Sequence, residues 1–87
     1  MPYTVKLLFG AEKDYYWWKK HRPDYTDRID ALLEAIKIDP FSGIGKPEPL
    51  KHDFRGLWSR RITEEHRLLY EVKGELILVY RCRWHYS

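Results

Sequence analysis

The stretch from Arg67 to Trp84 constrains this chain more than any other part of it. Residues 67–72 alternate, with Leu68, Tyr70 and Val72 opposite Arg67, Leu69 and Glu71, and residues 76–84 are the strongest strand-like run present. A period of two puts successive side chains on opposite faces of a sheet, so two such runs around Lys73-Gly74 predict an antiparallel hairpin. The length of its loop then decides which residues share a face. A two-residue Lys73-Gly74 loop would set Arg67 and His85 on opposite faces. A three-residue loop, 72–74 with Gly74 in the left-handed bulge position, sets them on the same face. It also matches Leu68 and Tyr70 with Leu76, Leu78 and Tyr80. The three-residue form is the expectation.

The remainder supplies partners for that hairpin. Tyr3, Val5, Leu7 and Phe9 alternate as a strand that Gly10 ends. From residue 11 to about 20 the spacing turns helical, with Ala11, Tyr15 and Trp18 on one face. The run Tyr15-Tyr16-Trp17-Trp18 is able to stack on bases, but aromatics at helical spacing beside a strand pack a core or an interface more often, and that reading is preferred. Pro23 suits the first turn of a second helix, and Tyr25, Ile29, Leu32, Leu33 and Ile36 make its apolar stripe until Asp39-Pro40 stops it. Residues 41–49 read as a loop, 50–54 as a short strand, 57–63 as a longer one and 63–66 as a turn. The whole of 1–87 is expected to be one α+β domain, an N-terminal strand and a two-helix hairpin on one face of an antiparallel sheet. The other face is expected to stay open and to carry Arg67, Arg81, Arg83 and His85.

Composition narrows the function. The chain has 87 residues, and with 44% hydrophobic and 33% charged side chains it has the make-up of a soluble globular domain. No apolar run approaches the roughly 20 residues needed to cross a bilayer, so no membrane is expected. The opening Met1-Pro2-Tyr3-Thr4-Val5-Lys6 lacks a secretory apolar region, and a single cysteine fits a reducing cytoplasm. No Cys/His spacing marks a zinc site, and Gly43-Ile44-Gly45-Lys46 is not a phosphate-binding loop. Residues 1–43 carry seven basic and seven acidic side chains, whereas 44–87 carry nine and six, so the net charge of +3 lies in the second half. A basic half fits a polyanion or an acidic protein, and equally an ordinary basic surface.

That half holds groups suited to cutting RNA without a metal. The reaction turns a 2′-hydroxyl on the neighbouring phosphate and needs a base, an acid for the leaving 5′-oxygen, and cations for the charge on phosphorus. Glu48, stiffened by Pro47 and Pro49, is a candidate base. His85 is a candidate acid, Arg67 can grip two phosphate oxygens with its planar fork, and Tyr86 can stack on a base or bond the phosphate. Bland roles stand beside each of these. A glutamate between prolines is usually solvated, strand arginines often pair with Glu64, Glu65 or Glu71, and a histidine near a terminus often frays. His52 and His66 read as surface or structural residues, and Trp58 and Cys82 as core.

Longer strings are more specific. Pro40-Phe41, Gly43, Gly45-Lys46-Pro47-Glu48-Pro49-Leu50-Lys51-His52, the run 56–68 and Cys82-Arg83-Trp84-His85-Tyr86 resemble the YoeB/Txe toxins of the RelE superfamily almost position by position. The resemblance implies a RelE-like fold and a toxin of a type II toxin–antitoxin pair. It further implies a metal-independent endoribonuclease that binds the ribosomal A site, cuts mRNA there and is neutralised by a YefM/Axe-like antitoxin. It places the base on Glu48, the phosphate-stabilising arginine on Arg67, the acid on His85 and the C-terminal tyrosine on Tyr86. Lys51 and Arg61 become supporting basic groups, with Arg60, Arg83 and Trp84 as further RNA contacts. No cofactor or metal is expected, and a homodimer is compatible. Ser87 after the terminal His-Tyr, and Trp84 where tyrosine is common, depart from the family pattern. A non-cleaving RNA- or ribosome-binding module and a ParE-type gyrase inhibitor are the competing functions on the same fold.

Overall fold

The structure, a computed structural model, describes residues 3–85. The first strand, β1 (Thr4–Leu7), runs straight into helix α1 (Phe9–His21) through an extended Leu8. Gly10 therefore lies in the first turn of α1 instead of closing the strand. The reason is space, since a Cβ at Gly10 would sit 3.0 Å from the Tyr80 carbonyl. A single 3₁₀ turn (Pro23–Tyr25) leads into α2 (Thr26–Ile38), which ends before Asp39-Pro40 as the sequence requires. The stripe of α2 puts Ile29, Leu32 and Ile36 fully out of solvent. Each such side chain contributes about 2 kcal/mol, which holds a helix of this length where intrinsic propensity would not.

The second half adds β2 (Glu48–Pro49), a 3₁₀ turn (His52–Phe54), β3 (Leu57–Arg61), β4 (Arg67–Lys73) and β5 (Leu76–Trp84). The short strand expected over 50–54 is thus displaced to the two residues before it, and the segment itself turns. The sheet order is β1-β5-β4-β3-β2. It is mixed, because β1 lies parallel to β5, with Thr4 beside Leu76 and Leu7 beside Val79. The helices meet through the Tyr15 hydroxyl, which donates to Asp30 at 2.8 Å, and through the Trp18–Tyr25 ring contact. They cover one face, burying Leu68, Tyr70, Ile77, Val79 and Cys82 of the sheet with Ala11 and Trp18 of α1.

The hairpin departs from expectation. Lys73 faces Leu76, Val72 faces Ile77 and Tyr70 faces Val79, so the loop is the two-residue Gly74-Glu75, with Gly74 at φ +60°. The core side of β5 is accordingly Ile77, Val79 and Cys82, and the pairing of Leu68 and Tyr70 with Leu76, Leu78 and Tyr80 does not form. The register is regular from Lys73–Leu76 to Tyr70–Val79, so the sequence count erred in where the loop begins, and β4–β5 shifts register twice only beyond it, between Arg67 and Tyr70. Those bulges break the period of two towards Arg67.

Candidate active site

In antiparallel pairs, residues directly opposite share a face. Glu48 faces Ser59, Ser59 faces Leu69, Arg61 faces Arg67, and Arg67 faces Trp84. Glu48, Arg61, Arg67 and Trp84 therefore project from the face turned away from the helices. Glu48 and Arg67 lie two strands and two residues apart, about 12 Å between Cα atoms from the sheet spacings, so their side chains can flank one nucleotide. The face is only partly open. Ser59 and Leu69 on it are buried, and the ring of Phe54 meets that of Trp84 edge-on at 5.2 Å.

The backbone around Glu48 is held in an unusual shape. Lys46 and His52, neither a glycine, adopt φ of +52° and +58°, and Gly45 adopts +86°. Such strain persists where the surroundings over-determine it, and it clusters at functional segments. The stretch before Lys46 is held by Arg60, which is completely buried. Its guanidinium donates to the carbonyls of Asp39, Ser42 and Ile44 at 2.7–2.9 Å and to the Tyr70 hydroxyl at 3.2 Å. That hydroxyl donates to the Pro40 carbonyl at 2.6 Å. Arg60 is thus a clamp for the loop leading to Glu48, and its assignment as an RNA contact is overturned. Beyond the loop, a shallow cavity of about 210 Å³ is lined by Glu48, Pro49, Leu50 and Lys51.

Arg67 folds its guanidinium back over the turn that precedes β4. Its Nη1 donates to the carbonyls of Thr63 and Glu64 at 3.1 and 2.9 Å and reaches that of His66 at 3.5 Å. All three contacts use one nitrogen, so the edge carrying Nη2 and Nε lies outside them, in the geometry that bidentate phosphate binding uses. His85 follows the last residue of β5, and its ring lies 4.4 Å from that of His66, edge to face. Arg67 and His85 thus meet the same turn, although the pleat alone would send them apart. Tyr86 lies outside the described residues.

Two expected members of this face belong elsewhere. Arg81 turns to α1, where Nε and Nη2 donate to the Asp14 carboxylate at 2.6 and 3.1 Å, and the same carboxylate accepts the Cys82 backbone N–H at 3.0 Å. Arg83 lies flat on Trp17, 3.7 Å from the ring centroid, also against α1. Arg81 follows Val79 by two residues and so keeps to the helix-covered side of the strand. His66, read from sequence as a bystander, sits at the centre instead, with burial the first cause, then His85 and Arg83, holding its imidazole below the usual range. Sequence offered one signal for it, its place directly before Arg67. A cavity of about 460 Å³ lies between Leu7, Phe9, Lys13 and Tyr16 and touches none of the candidate groups. No cluster of three or more metal-ligating side chains occurs among the described residues.

Comparison with known proteins places these features in a family. Residues 10–86 match the family described as YoeB-like toxin of bacterial type II toxin-antitoxin system. Toxin YoeB of Escherichia coli K12 is 45% identical over 84 residues, covering 94% of this chain and all of that protein. The YoeB dimer of Staphylococcus aureus superposes with a TM-score of 0.87 at 34% identity, over 99% of this chain and 100% of the other. The heterotetrameric YoeB–YefM toxin–antitoxin complex from the same organism gives 0.84 at 34% identity and the same coverage.

Proposed function

The chain belongs to the YoeB-like toxins of bacterial type II toxin–antitoxin systems, and from that premise we propose that it is a metal-independent, ribosome-dependent mRNA endoribonuclease. The observation that carries this reading is the register that sets Glu48, Arg61 and Arg67 on one face of the sheet, with His85 against the turn that Arg67 grips. In this reading the Glu48 carboxylate takes the proton of the 2′-hydroxyl, whose oxygen attacks the adjacent phosphorus. Negative charge grows on the non-bridging oxygens, where the outer edge of the Arg67 guanidinium stabilises it. The bond to the 5′-oxygen breaks as the His85 imidazolium passes its proton to that oxygen, leaving a 2′,3′-cyclic phosphate. DNA lacks the attacking hydroxyl and is spared. Lys51, lining the same cavity as Glu48, and Arg61 opposite Arg67 add positive charge along the strand path, and Trp84 offers a stacking surface. Tyr86 is proposed to complete the site.

A small YefM/Axe-like antitoxin is the proposed partner, laying acidic side chains on this basic face, and pairing of two toxin chains is compatible with the dimeric relative. The toxin is proposed to act in the cytoplasm, where ribosomes are met. The test maps mRNA ends on programmed ribosomes with chelator present, for wild type and for Glu48→Ala, Arg67→Ala and His85→Ala. Cleavage that survives chelation and is lost in each variant is expected. Growth arrest by Glu48→Ala equal to wild type would point to a non-cleaving binding module instead, and altered DNA supercoiling with intact translation to a gyrase inhibitor.

A further inference from the structure

His85 stands past the end of β5, so no strand pairing orients its side chain. Among the described residues its ring packs against that of His66, and His66 is held on several sides. Its backbone N–H donates to the Thr63 hydroxyl at 2.9 Å, and its carbonyl accepts from the Ile62 N–H at 2.9 Å and the Thr63 N–H at 3.2 Å. Its ring packs edge-on against Trp18, with centroids 5.2 Å apart and an interplanar angle of 84°. Trp18 is anchored in turn, its Nε1–H donating to the Cys82 carbonyl at 2.7 Å. The result is a file of rings, Trp18, His66 and His85, tied at one end to β5. The His66 Nδ1 is buried and meets no hydrogen-bond partner among the described residues, so ring contacts rather than a polar bond set this imidazole.

We propose that His66 is a positioning residue, whose ring, wedged between Trp18 and His85, holds the His85 imidazole in the orientation from which it protonates the leaving 5′-oxygen. The inference rests on the reading of His85 as the general acid. A second consequence follows from charge. Two imidazolium rings at this separation would repel, which disfavours a charge on both. Burial lowers the affinity of His66 for that proton, and His85, Arg83 and Arg67 push the same way against the pull of Glu65. The proton for the leaving oxygen is assigned to His85 and not to His66. In the chemical step it moves from His85 to the departing oxygen, and His66 neither gains nor loses one.

The test uses His66→Ala and His66→Phe in the full chain, measuring single-turnover cleavage on programmed ribosomes beside the apparent KM. Misplacing a catalytic group by an ångström can cost about a hundredfold, so His66→Ala is expected to lower kcat by roughly ten- to a hundredfold with KM within about twofold. His66→Phe keeps a ring in the file and is expected to recover most of that rate. The ring proton resonances of His85 in the NMR spectrum of the free protein are expected to shift in His66→Ala, as the neighbouring ring is lost. Wild-type kcat in His66→Ala, or a His66→Phe rate as low as that of Ala, would overturn the proposal. So would unmoved His85 ring resonances. Full cleavage by His85→Ala would be a different result, sinking the assignment of the acid itself.

Discussion

The adjacent pair Arg60-Arg61 offers a sharp test, because one pleat sends the two guanidiniums in opposite directions. Arg60 has no solvent exposure and holds three loop carbonyls and one hydroxyl, while Arg61 is exposed on the outer face. Replacing Arg60 by Met keeps the apolar stem but removes every donor. Four hydrogen bonds at a net contribution of about 1 kcal/mol each give a loss near 4 kcal/mol. Relief from burying a cation returns part of this, and removing the charge leaves no uncompensated ion, so about 3 kcal/mol remains. With an unfolding entropy of about 2.1 cal/mol/K per residue, a chain of this length loses roughly 5 °C of Tm per kcal/mol, hence about 15 °C for Arg60→Met. Arg61→Met, on the surface, should move Tm by less than about 3 °C. Thermal melts by circular dichroism at matched concentration measure both, and cleavage assays below either Tm complete the comparison. Arg61→Met should lose rate without losing stability. Equal Tm shifts in the two variants, or a fall below about 3 °C for Arg60→Met, would refute the clamp.

Other outcomes are equally specific. Gly45→Ala would place a Cβ 2.6 Å from Leu32 Cδ2 and 3.2 Å from Arg60 Cβ at a φ of +86°; a loss of about 2–4 kcal/mol in urea unfolding is expected. Asp14→Asn, which weakens the Arg81 pair and the acceptor for Cys82, should cost about 1–2 kcal/mol, since Arg81 is 43% exposed and water screens the pair. The Cys82 thiol is pushed from near 9 up to about 12, chiefly by burial. It should resist thiol reagents at pH 8 until the protein unfolds. The unfolded chain gives up this proton first, so the stabilisation is whole below about pH 8.5 and declines as pH rises towards 12, visible as a falling Tm. For His66, whose affinity is lowered in the fold, the sign reverses. Stability held near neutrality falls as pH drops below about 6.5, and His66→Phe should blunt that slope.

Much of this was legible in the residues. Pro23, the Ile29–Leu32–Ile36 stripe and Asp39-Pro40 framed α2, and Leu76 and Trp84 bounded β5, because local periodicity and proline geometry act within a few residues. The parallel β1–β5 pairing was not legible, since it joins Thr4 to Leu76 and no local pattern announces so distant a partner. The hairpin failed for a different reason. Gly74 is a turn signal wherever the loop begins, so the count of alternation began from the wrong residue. Glu48, Arg61 and Arg67 share the outward face, but Arg60, Arg81 and Arg83 went to a loop, an aspartate and a tryptophan. A string of arginines states charge, whereas a pleat and its bulges decide who is able to use it.

One feature of the sheet bears on when this toxin becomes harmful. The last strand to be synthesised, β5, is inserted between the first, β1, and the fourth, β4. Until that segment emerges, β1 has no neighbour and β4 lacks one of its two, while α1 lacks the surface that Trp18 and Asp14 seize. A nascent chain therefore carries its arginines and glutamate unassembled through nearly all of its own translation. The sheet is complete only once this last strand docks between the two that wait for it.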